Sequence, residues 1–104
     1  MKKDDLEWLL EWNCSQCDGD WEHKHGVKIS TIENPGWRFS ISLEGTQLES
    51  IPFQIIAIDR KEHDWAHCYI RNKEFQGACG LLNLSEVLQI FRHWAESYQK
   101  EDPE

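Results

Sequence analysis

The 104-residue chain contains no apolar run approaching the roughly 20 residues that a bilayer-spanning helix needs, so no segment is expected to cross a membrane. Its first residues, Met1-Lys-Lys-Asp-Asp5, lack the apolar core of a secretory leader, which places the chain in the cytoplasm. Basic residues are scarce. Eleven Lys and Arg face nineteen Asp and Glu, a net charge of −8. That balance repels phosphate backbones, argues against nucleic acid as a partner and favours a basic one. Linkers, repeats and low-complexity stretches are also missing, so residues 1–104 are expected to form one domain, with 100–104 as a frayed tail. In the cytoplasm the four cysteines are expected to be free thiols.

What is present suits a globular core: 39% hydrophobic and 29% charged residues. Six tryptophans are many for this length, and one or more is expected at the surface. A helix is predicted over about Asp4 to Gln16, with Asp4 or Asp5 as its cap and acids at the positive end of its dipole. Leu6, Leu9, Leu10, Asn13 and Cys17 fall on one face at helical spacing, and Cys14 continues that stripe; Trp8 and Trp12 form a second. Asp18-Gly19 ends the helix, and Trp21-Glu-His23 leads into strands.

Strands are predicted at Val27 to Ile32, Trp37 to Leu43, Phe53 to Asp59 and Trp65 to Arg71. Asn34-Pro-Gly36 is a turn in which the glycine is free to take positive φ. Trp37, Phe39, Ile41 and Leu43 alternate toward the core, and the charged loop Arg60 to Asp64 joins the last two strands. The clearest element is a closing amphipathic helix with Leu84, Val87, Leu88, Phe91, Trp94, Ala95 and Tyr98 on one face, opened by an Asn83/Glu86 capping box. The fold class is α+β: a helix, an antiparallel meander of about four strands, and a helix.

The stretch Cys14 to His25 admits several chemistries. Cys14, Cys17, His23 and His25 supply the four nitrogen and sulfur ligands of a zinc module. Against that, both cysteines extend the apolar stripe of a helix, where a free cysteine acts as a small hydrophobe facing the core. Asp18, Asp20 and Glu22 are too few and too closely spaced for an EF-hand loop and read as a solvated acidic turn. A thiol-dependent enzyme would use Cys79 in the loop Gly77-Ala-Cys-Gly80, but no catalytic spacing and no flanking arginine accompany it. No catalytic residue, cofactor or bound metal is expected. Residues 1–22 hold seven acids and two lysines, and exposed tryptophans ringed by carboxylates suit a protein interface. The candidate contact residues are Asp18, Asp20, Glu22, Trp37 and Trp65.

Leu9-Leu-Glu-Trp12, Ser15-Gln-Cys-Asp-Gly-Asp-Trp-Glu-His23, Gly26-Val-Lys-Ile29, Asn34-Pro-Gly-Trp37, Asp64-Trp65, His67-Cys68, Phe75-Gln-Gly77 and Asn83-Leu-Ser-Glu86 together resemble the immunity protein 53 family, over about Leu6 to Trp94. The resemblance implies a bacterial immunity protein of a polymorphic toxin system. It implies stoichiometric binding to a cognate toxin domain, and the acidity fits a basic, nuclease-like target. The zinc module and the thiol-dependent enzyme remain as alternatives.

Overall fold

The computed structural model describes residues 3–99; the tail expected at 100–104 lies outside them. Helix α1 (Asp5–Gln16) is capped by the Asp4 carboxylate, which accepts from the Glu7 amide at 2.8 Å. A single turn, α2 (Trp21–Lys24), follows. Five strands come next, β1 (Val27–Ile32), β2 (Gly36–Ser42), β3 (Ile56–Lys61), β4 (Asp64–Arg71) and β5 (Glu74–Cys79), and α3 (Leu84–Gln99) closes the chain.

The class is α+β as expected, with a fifth strand. All pairings are antiparallel, in the order β1-β2-β5-β4-β3. Thus β1–β2 is a hairpin, β3–β4–β5 is a meander, and β5 joins the two by pairing with β2. The segment expected to be a loop around Cys79 is therefore an inner strand. Its hairpin with β4 turns at Asn72 and Lys73, both at positive φ (53° and 61°), and Lys73 is tied to Glu49 by a 3.0 Å ion pair.

Helix α3 and α1 pack on one face of the sheet. Phe39 and Ile41 of β2, Cys68 of β4, Phe75 and Cys79 of β5, and Val87, Phe91 and Ala95 of α3 are all buried. Phe91 is the hub, with the rings of Trp8, Trp12, Phe39, Phe75 and Trp94 centred 5.0 to 6.1 Å away. Alternation along the strands sends Lys28, Arg38, Ser40, Gln76, Trp65, His67 and Tyr69 to the other face.

Three expectations about packing are corrected. On α1 the buried residues are Leu9 and Trp12, with Trp8 packed alongside, whereas Leu6, Leu10, Cys14 and Cys17 are exposed. The large indoles, each with some 150–250 Å² to bury, take the core side with Leu9, in preference to Leu6 and Leu10. No tryptophan is fully exposed: Trp12, Trp21 and Trp94 are buried, and Trp8, Trp37 and Trp65 half-buried. Gly36 is not at positive φ; it is needed because a Cβ there would stand 2.1 Å from the Cys79 carbonyl oxygen of β5.

Candidate functional site

The acidic turn after α1 is built around its own backbone. Cys17 leaves the helix in an extended conformation, and Gly19 (φ +93°) reverses the chain. Asp18 Oδ1 accepts from the amides of Asp20 (2.9 Å) and Trp21 (2.8 Å). Glu22 Oε1 accepts in return from the amides of Asp18 (3.0 Å) and Gly19 (3.1 Å). The two carboxylates thus satisfy the amides of the turn from Asp18 to Asp20 and the first amide of α2, at Trp21. Trp21 fastens this turn to the core: its indole N–H donates to the Glu44 carbonyl at 2.8 Å and its ring meets Trp12 edge-on.

Hydrogen bonding to the charged form fixes the ionisation of the corner. The Trp21 and Asp20 amides hold the Asp18 carboxyl below its ordinary value. Glu22 is held down by its own amide, then by those of Gly19 and Asp18. Asp18, Asp20 and Glu22 are all exposed. Asp18 and Glu22 therefore present fixed negative charge at neutral pH.

The two tryptophans expected beside these acids lie elsewhere, and on opposite faces of the sheet. Trp37 pairs with Cys79 and points to the helix side, where its indole N–H donates to the Leu81 carbonyl at 3.0 Å. Trp65 faces the open side of β4, with its ring centred 5.2 Å from that of His67. His67 Nε2 lies 2.9 Å from Asp59 Oδ1.

The four zinc candidates do not converge. Cys14 and Cys17 are exposed on the last turn of α1 and its cap, and His23 is exposed on α2 rather than in a strand. His25 Nδ1 lies 2.9 Å from Ser42 Oγ. Among the described residues no three His, Cys, Asp or Glu side chains gather where they could hold a metal ion. Partial desolvation and the negative charge of Glu22, then of Cys14 and Asp18, push the Cys17 thiol up, away from the thiolate a metal or an electrophile requires. The thiol-enzyme candidate fares no better. Cys79 is buried on an inner strand and burial raises its pKa, while neighbouring Cys68 is pushed up to about 12 by burial, Cys79 and Glu86.

The outer stripe of α1 was legible in the sequence but was expected to face the core. The sequence did not show a second surface, an open groove of about 590 Å³ between residues 52–58 and α3, lined by Ile55, Ile56, Ile58, Ile90, Trp94 and Tyr98. Near its end, Arg60 bridges Asp64 (2.9 Å) and Glu86 (2.7 Å), and the Asn83 amide donates to both acids. Asn83 therefore serves this network in place of the simple capping box expected from sequence. No helix among the described residues is long and apolar enough to cross a membrane.

Compared with known proteins, residues 6–96 match the family model described as immunity protein 53. No curated protein and no solved structure matches the chain.

Proposed function

The chain belongs to the immunity protein 53 family, and from that membership we propose that it neutralises a cognate secreted toxin by stoichiometric protein–protein binding, protecting the cell that makes it. The family match along residues 6–96 carries this reading. The chemistry of the acidic corner supports it. Carboxylates already ionised and held by backbone amides meet a cationic partner with little ordering left to lose. A net charge of −8 favours a basic, nuclease-like toxin and speeds its approach.

Of the five contact positions named from sequence, Asp18, Asp20 and Glu22 form one surface. Trp37 and Trp65, on opposite faces of the sheet, cannot both join them in a single flat contact. We therefore assign the acids, and neither tryptophan, to the toxin-facing surface.

The test is co-expression with the toxin domain encoded beside this gene. Cells that make both proteins should grow where toxin alone kills, and equal killing in the two cultures would end the proposal for that pair. Among charge reversals, Asp20→Lys is the cleanest, because the Asp18 and Glu22 side chains also hold the turn together. It should weaken protection while leaving the protein folded.

A further inference from the structure

Helix α1 carries an apolar stripe that the described residues leave largely uncovered. Leu6 is 50% exposed and Leu10 60% exposed, and Cys14 continues the line at the same four-residue spacing. The core contacts of α1 come from the other side, through Leu9, Trp12 and Trp8. Two neighbouring leucines left half or more in water form an apolar patch that burial against a partner would stabilise.

The surroundings say what kind of surface would do so. Glu7 and Glu11 border the stripe on one side, both exposed, and Glu7 forms no ion pair among the described residues. The stripe runs down the helix into the Asp18–Glu22 corner, where the ionised carboxylates described above stand. Among the described residues the acids along this edge outnumber the bases, and Lys3 reaches Glu11. A second copy of the chain is a poor occupant. A symmetric contact would place the same acids against each other, and like charges so opposed are destabilising.

We propose that the outer face of α1, with Leu6, Leu10 and Cys14 as its apolar centre and Glu7, Glu11 and the Asp18–Glu22 corner as its acidic border, is the surface on which the cognate toxin docks. The matching toxin surface is an apolar cleft flanked by lysine or arginine side chains. This inference rests on the toxin-binding reading and adds to it the place and chemistry of the contact. The leucines supply the buried area that holds the complex, and the acids steer the approach, so the two sets act on different rates.

The experiment measures binding of the purified toxin domain from the adjacent gene to four forms of the whole protein. Leu6→Asp/Leu10→Asp should lose roughly thirtyfold or more in affinity, mostly through faster dissociation. The milder Leu6→Ala/Leu10→Ala should lose less, in the same direction. Glu7→Lys/Glu11→Lys should associate more slowly and lose most of the salt dependence of association. Ile55→Asp, which places a charge in the groove beside α3, should bind within about twofold of the unaltered protein. Urea midpoints of all four show that each is folded.

Leu6→Asp/Leu10→Asp binding as tightly as the unaltered protein would overturn the assignment while leaving toxin binding intact. A loss caused by Ile55→Asp instead would move the docking site to the groove. Absence of binding by the unaltered protein would remove the function itself, and this surface with it.

Discussion

Truncating Phe91 to alanine is the sharpest probe of how the molecule is held together. The ring is 1% exposed and touches the aromatic side chains of α1, β2, β5 and α3 at once. Removing a buried phenylalanine costs about 3–5 kcal/mol in lost transfer energy and cavity. Five aromatic neighbours put this site at the upper end, because each edge-on or tilted pair adds about 0.5–1.5 kcal/mol beyond the area buried. A domain of this size has about 5–15 kcal/mol in total. Phe91→Ala should therefore lose some 4–5 kcal/mol, between about a third and the whole of that total. Urea unfolding followed by tryptophan fluorescence and far-ultraviolet circular dichroism reads this directly. With a slope of about 1–3 kcal/mol per molar, the midpoint should fall by roughly 2 M at unchanged slope. Phe91→Leu should fall less and stays measurable if the alanine variant is unfolded. Leu10→Ala, on the exposed stripe, should change stability by no more than about 0.5 kcal/mol. A loss below about 2 kcal/mol at Phe91, or an equal loss at Leu10, would refute the assignment of the core.

Arg60 holds the Asp64 and Glu86 carboxyls below their ordinary values, so its contribution is complete above about pH 4.5 and fades as pH falls through the depressed folded values. The urea midpoint of Arg60→Gln should accordingly trail that of the unaltered protein at pH 7 and converge with it on acidification; a gap that widens would contradict the network. Native-state thiol labelling should modify Cys14 and, more slowly because its thiol is pushed up, Cys17, whereas Cys68 and Cys79 should react only in denaturant; fast labelling of Cys79 would contradict its burial. Gly77→Ala would bring a Cβ to 2.8 Å from Val87 Cγ1 and should cost about 1–3 kcal/mol by overpacking. Combined with Val87→Ala it should cost less than the two changes summed; simple additivity would mean that the helix does not approach the strand there.

Much of this architecture could be read in advance where one periodicity stood alone. Helix α3 has a single apolar face, so its position and its buried residues followed from spacing, and β2 alternates apolar with polar residues from Trp37 to Ser42. Helix α1 has two stripes at equally good spacing, and spacing cannot say which meets the core; ring size decided it. Strand β5 was hidden for a different reason. Its hairpin turn is Asn72-Lys73, without the glycine that usually marks positive φ, and its inner residues Gly77 and Ala78 have little strand preference of their own. They fit because Val87 of α3 needs the space above Gly77. In the candidate site the acids were legible as a charged turn. That Asp18 and Glu22 fold back onto backbone amides was not, since it depends on Gly19 and on the one-turn helix behind it. The separation of Trp37 from Trp65 depends on strand pairing, which no local pattern encodes.

The seam between β2 and β5 also sets the order in which this sheet can assemble. The β1–β2 hairpin and the β3–β4–β5 meander are each made of near neighbours in the chain, whereas the seam joins Trp37 to Cys79 and Ser42 to Glu74, about thirty to forty positions apart. Closing that long loop is the slow, entropically costly step, so the two halves form first and zip together late. Until they do, β2 and β5 offer bare edges bearing Phe39 and Phe75, ready to pair with the same edges of another nascent chain. Exchange of hairpins between molecules is the misassembly this topology invites, and in the closed fold Phe91 of α3 covers both phenylalanines.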